Sequence, residues 1–138
     1  MKEKRFFKTN VLSDEQRAAV VKTVKERLFE DLRVSFAYIH GSFAEGVPFR
    51  DVDVAAYLKP EGDALGFEAD TSYELGERAG LPVDVKAINS APPTVRMAVL
   101  RKGILLFARD EAALADFVED AGRRYAEYAH FRDIYLGT

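Results

Sequence analysis

The sequence contains no cysteine, which removes disulfide scaffolds, thiolate metal sites and cysteine nucleophiles from consideration. Long apolar runs are missing too. No window approaches the ~18 consecutive apolar residues of a membrane span, and the basic stretch Met1 to Lys8 has only Phe6 and Phe7 as adjacent apolar residues, unlike the apolar stretch of a secretory leader. The expectation is a soluble, cytoplasmic protein. A surplus of positive charge is also lacking: lysine and arginine total 20 against 23 aspartates and glutamates, a formal charge of -3. Direct binding of a polynucleotide backbone is therefore not expected. No internal repeat, low-complexity stretch or linker interrupts the chain.

What the chain does have is material for a core. Its 138 residues are 48% hydrophobic and include ten phenylalanines and six tyrosines. That suits one domain, which typically takes ~100–200 residues, and a single domain over residues 1–138 is expected. Ser13 with Gln16 three residues on is a capping-box signature, followed by Val20, Val21, Val24 and Leu28 at helical spacing, so a helix is expected over 14–30. Strands are expected at Val34 to His40, where Val34, Phe36, Tyr38 and His40 alternate with Ser35, Ala37 and Ile39, at Val52 to Leu58, and at Pro82 to Ile88. Between the last two, residues 63–79 read as a helix stopped by Gly80 and weakened by Gly66 and Gly76. Pro92 and Pro93 open a helix to residue 102, Ile104 to Ala108 reads as a short fourth strand, and an apolar stripe from Leu114 to Tyr135 predicts a long C-terminal helix. Strands alternating with helices predict an α/β fold with a mixed sheet flanked by helices.

Chemistry concentrates in Gly41-Ser42-Phe43-Ala44-Glu45-Gly46 and the Asp51-Val52-Asp53-Val54 that follows. Ser42 and Glu45 match a capping box for a short helix closed by Gly46, and such a corner suits phosphate because helix N-terminal N–H groups lie beside a glycine. Alone, the pair could simply turn and cap the chain. Asp51 and Asp53 lie two apart on a strand, so their carboxylates leave from one face. Like charges held together repel unless a divalent cation joins them, and hard carboxylate oxygens are what magnesium accepts. Asp84 repeats the pattern of an acid between valines in Val83-Asp84-Val85. If the two strands are neighbours, three carboxylates converge, as two-metal phosphoryl or nucleotidyl transfer requires. The bland alternative makes Asp51 a strand-start cap and leaves Asp53 and Asp84 as solvent groups.

The run GSFAEGVPFRDVDV with the later VDV resembles the nucleotidyltransferase superfamily that includes DNA polymerase β. The stretch VDVKAINSAPPTVRMAVLRKGILLFARDE resembles its minimal MntA-type antitoxins, which are paired with HepT toxins of the HEPN class. The resemblance implies a polymerase β-like fold in which Gly41 and Ser42 hold the nucleotide phosphates, Asp51 and Asp53 ligate magnesium, and Asp84 is the third acid, acting on the acceptor hydroxyl. It further implies transfer of AMP from ATP, with two Mg2+ ions, to a tyrosine of a HepT-type toxin. Arg50 departs from the pattern, which has serine there; it is expected to face solvent or an ion pair, with a nucleotide phosphate as the other reading.

Weaker signals remain. His40 is expected to end its strand with its ring hydrogen-bonded, a nucleotide contact or general base being the other reading, and His130 is given no role. Arg101 and Lys102 fit helix-end stabilisation, with Arg96 completing a small basic cluster for which a triphosphate contact is the other reading. Tyr125, Tyr128, Phe131 and Tyr135, interleaved with Arg123, Arg124 and Arg132, either pack on the domain's own core or form a surface for a partner protein or a self-dimer. Two other functions stay open: a binding module that neutralises a partner by covering it, and transfer to a small molecule such as an antibiotic.

Overall fold

The computed structural model describes residues 9–137. The basic lead Met1 to Lys8 lies outside them. Helix α1, Asp14–Glu30, starts on the expected reciprocal cap: the Gln16 N–H donates to Ser13 Oγ at 3.1 Å and the Ser13 N–H to Gln16 Oε1 at 2.9 Å. Strand β1, Val34–His40, runs into a one-turn helix α2, Gly41–Ala44, and strand β2 follows at Val52–Leu58. Helix α3, Ala64–Ala79, begins on Asp63, whose carboxylate accepts the Gly66 N–H at 2.9 Å, and ends on left-handed Gly80. A Cβ at position 66 would collide with that carboxylate, so the glycine that weakened the helix on propensity makes room for its cap. Strand β3 is Val83–Ala87, one residue shorter at each end than expected. Helix α4, Pro93–Lys102, and strand β4, Ile104–Ala108, keep their expected limits. Helix α5, Glu111–Tyr135, is capped by Asp110, whose carboxylate accepts the Ala113 N–H at 3.0 Å.

The strands form one mixed sheet in the order β3-β2-β1-β4, with β2 and β3 parallel and the other pairs antiparallel. The parallel pair needs a crossover, which α3 supplies. Helices α1 and α3 cover one face through Val24, Leu28, Phe67 and Leu75, packed on Ile39, Val54 and Val85. Helices α4 and α5 cover the other through Val99 and Phe117, packed on Phe36, Tyr38 and Ala55. Phe36 lies 5.0 Å from the stacked Tyr57 ring and 5.3 Å from Phe117. Burying such a side chain stabilises by roughly 1.5–3 kcal/mol.

One expectation is corrected, and one pair of alternatives is narrowed. The pairing of β1 with β2 shifts register between Val34 and Phe36, so Val34 joins Ala37 and Ile39 on the α1 face and does not continue the Phe36 and Tyr38 row. The aromatic stripe of α5 does not pack wholly on the core either. The helix is about 37 Å long at 1.5 Å per residue, and within it only Phe117 and Ala121 are buried. Tyr128, Phe131, Ile134 and Tyr135 are exposed.

Candidate active site

Sheet register assembles the acids. Val52 and Val54 of β2 and Val83 and Val85 of β3 point into the α1 and α3 core, so the alternation of a strand sends Asp51, Asp53 and Asp84 to the opposite face. Asp53 pairs in register with Asp84 on one side and with His40 of β1 on the other. One carboxylate oxygen from each of Asp51, Asp53 and Asp84 lies within 4.8 Å of the others. The α4 and α5 layer buries Ala55 on this face but leaves the three acids half-exposed.

The cluster is electrostatically unbalanced. Burial, together with the charges of Asp51 and then Asp84, pushes the Asp53 carboxyl up to about 6 from 3.8. The adjacent His40 imidazole is driven below its usual range by burial, opposed by Asp84, so it is no counter-charge at neutral pH. Lys86 approaches Asp84 at 3.8 Å with both side chains largely in solvent. Among the described residues no cation pairs with Asp51 or Asp53. Convergent carboxylates without a protein counter-charge are the donor set that suits a hard divalent cation.

Beside the acids the chain turns its Gly41-Ser42 corner by a different route from the one expected. Ser42 does not cap α2. The cap position is His40, without a side-chain cap bond, and the helix starts at Gly41. The strand turns directly into the helix because Gly41 takes φ +75°, and its bare Cα faces the Asp53 carboxylate, where a Cβ would collide. Ser42 therefore sits exposed in the first turn, where helical N–H groups have no intrahelical acceptor. Gly41→Ala should strain the left-handed backbone by ~1–2 kcal/mol and displace Asp53. The expected result is a lowered melting temperature, and a loss of divalent-cation affinity, read by calorimetry, larger than Ser42→Ala causes.

The loop from Glu45 to Asp51 is pinned by residues that sequence reading did not single out. Asn10 exchanges backbone hydrogen bonds with Phe49, at 2.6 and 3.3 Å, and its side-chain amide reaches the Phe49 and Arg50 carbonyls at 3.3 Å each. Arg17 donates to the Phe43 carbonyl and lies 4.2 Å over the Phe43 ring, which meets Phe49 edge-on at 5.0 Å. A lone Asn before a capping box was the only local signal. Ser42, Arg50, Asp51 and Asp53 line one cavity of about 280 Å³. Arg50 is exposed there, with no ion pair among the described residues. The basic cluster of α4 divides. Lys102 approaches Glu45 at 3.8 Å and Arg101 lies over the Tyr125 ring, whereas Arg96 is buried and bonded to the Asn89 and Ala91 carbonyls and to Asp120.

A family model for polymerase beta nucleotidyltransferases matches residues 22–112. No curated protein matches the chain in sequence. Among solved structures the chain is similar to one from a toxin-antitoxin pair with AMP-PNP, at 18% identity and TM-score 0.61, over 88% of this chain and 93% of that one. It is also similar to a chain of a Shewanella oneidensis complex between a tri-AMPylated HEPN toxin and an MNT antitoxin, at 16% identity and TM-score 0.64, over 91% and 97% of the two chains. A third, from an MntA-HepT toxin-antitoxin structure, shares 15% identity and TM-score 0.60, over 91% and 94%. These likenesses establish a shared fold. With the family match spanning most of the sheet and both acid-bearing strands, this chain belongs to the polymerase beta nucleotidyltransferase family.

Proposed function

We propose that this protein transfers AMP from ATP to a tyrosine hydroxyl of a HEPN-type toxin and so acts as its antitoxin. The convergence of Asp51, Asp53 and Asp84 beside the Gly41-Ser42 corner carries this reading. The similar folds found in toxin-antitoxin complexes, one with an AMPylated toxin, support the choice of acceptor. The acids fit a divalent cation in donor type, mutual distance and unneutralised charge. Bound there, two Mg2+ ions would supply charge neutralisation to the α-phosphate and to the entering and leaving oxygens.

This chain's own residues do the rest. Asp51 and Asp53 hold the cations. The α2 N–H groups at Gly41 and Ser42 receive the terminal phosphates, at a glycine that lets backbone approach ligand closely. Asp84, on the neighbouring strand, orients the acceptor hydroxyl and draws off its proton as the oxygen bonds to the α-phosphorus. The bond from that phosphorus to the β-phosphate oxygen breaks, and pyrophosphate leaves. The cavity of about 280 Å³ falls just below the ~300–1,000 Å³ of small-molecule sites, so it suits phosphates and cations while leaving the base and acceptor at the open surface. A partner must then present the hydroxyl. The exposed aromatic end of α5 is suited to such an encounter, since tyrosine and phenylalanine are enriched at interfaces.

The test is mass spectrometry of the cognate toxin after incubation with this protein, ATP and magnesium. One or more AMP increments on a tyrosine are expected. Inhibition of the toxin without any increment would replace the enzyme with a binding module.

A further inference from the structure

We infer that Arg50 binds the β- and γ-phosphates of the nucleotide and stabilises pyrophosphate as it leaves. This rests on the nucleotidyl-transfer reading above. Arg50 occupies the wall of the cavity that also holds Ser42, Asp51 and Asp53, and among the described residues lining it Arg50 is the one cationic side chain. Its backbone is held by hydrogen bonds. The Arg50 carbonyl accepts from the Asn10 amide at 3.3 Å, and its neighbour Phe49 is buried and bridged to the Asn10 backbone. The anchor therefore fixes where the side chain starts, while the side chain itself stays exposed and without an ion-pair partner among the described residues.

Charge decides what that arrangement is for. Asp51 adjoins Arg50 in the chain, yet the two do not come within ion-pair distance. The guanidinium is thus left available beside Asp51 and Asp53, neither of which has a cationic partner among the described residues. A triphosphate brought to three carboxylates adds negative charge to negative charge, and two divalent cations leave part of the sum unneutralised. Cations held by Asp51 and Asp53 would offset part of that charge, and most of a triphosphate's own charge lies on its terminal phosphates. Arg50 supplies the missing charge there in the planar fork that matches phosphate oxygens two at a time.

The experiment measures binding of ATP, ADP and AMP to the full chain by calorimetry in magnesium, for the native protein, Arg50→Ala and Arg50→Lys, with transfer kinetics alongside. Arg50→Ala should weaken ATP about tenfold or more, the scale of a lost charge-assisted contact, weaken ADP less, and leave AMP unchanged. Arg50→Lys should recover part of the ATP affinity, because it keeps the charge and loses the fork. ATP affinity within twofold of native in Arg50→Ala overturns the inference. So does an equal loss of ATP and AMP, which would mark a disturbed site, or a lysine variant no better than alanine. If the native protein binds ATP with this dependence on Arg50 but adenylylates no hydroxyl, the proposed function fails and the phosphate contact stands.

Discussion

Asp53→Asn is expected to reduce adenylyl transfer by about 10³-fold or more, on the scale of removing a principal transition-state charge partner, without unfolding the protein. The residue is central: it lies between His40 and Asp84 across three strands and within 4.8 Å of both other acids. The amide keeps the shape and removes the charge that a cation needs. Its effect on stability runs the other way. The folded carboxyl titrates near 6 against 3.8 in its ordinary state, through burial and then the charges of Asp51 and Asp84. The native fold therefore holds the proton more tightly than the unfolded chain, and stability falls as pH rises from about 4 to about 6. Because the group is only half-buried, the cost above that window is on the order of 1–2 kcal/mol after solvent screening. Metal-free Asp53→Asn should then melt higher than the native protein at pH 7 and lose most of the slope between pH 4 and 6. Magnesium should raise the native melting temperature and leave the variant unmoved. A variant that keeps native transfer would remove Asp53 from the chemistry.

Arg96→Ala is expected to cost about 2–4 kcal/mol, lowering the melting temperature by about 10 °C for a domain of this size, through a mechanism far from the nucleotide. Arg96 is 8% exposed. Its Nε donates to the Ala91 carbonyl at 2.9 Å, Nη2 to the Asn89 carbonyl, and Nη1 to Asp120 at 3.1 Å, with the guanidinium over the Phe117 ring. One side chain thus ties the turn after β3 to α4 and α5. Its loss strands two carbonyls in a half-buried turn and leaves a void against Phe117. Asp120 is not orphaned, because Arg123 and Arg124 reach it at 2.5 and 2.8 Å, which keeps the cost below that of an abandoned buried charge. Arg96→Lys should recover little, since an ammonium cannot span three acceptors set around a planar fork. Denaturant melts of the three proteins check this, and an unchanged midpoint for Arg96→Ala would contradict the clamp.

The elements of the fold were readable locally because their ends carry their own chemistry. The Ser13 and Gln16 cap, the proline opening of α4 and the Gly80 stop of α3 are each decided within a few residues. The acid pattern was equally local, since alternation alone sends Asp51 and Asp53 to one face. Other features depend on partners far along the chain. Asp84 reaches Asp53 only because β3 pairs with β2 in parallel and in register. Val34 changes face only through a shift against β2, and Ser42 loses its capping role because Gly41 turns the strand straight into α2 beside Asp53. Arg96 reads as a surface cation until Asn89, Ala91, Phe117 and Asp120 close around it. The sequence by itself determined which segments are helix or strand and which acids share a face, because those follow from caps, turns and short-period patterning. Tertiary structure alone decided which charges meet and which are buried, because electrostatics and desolvation act through space between residues that chain distance does not relate.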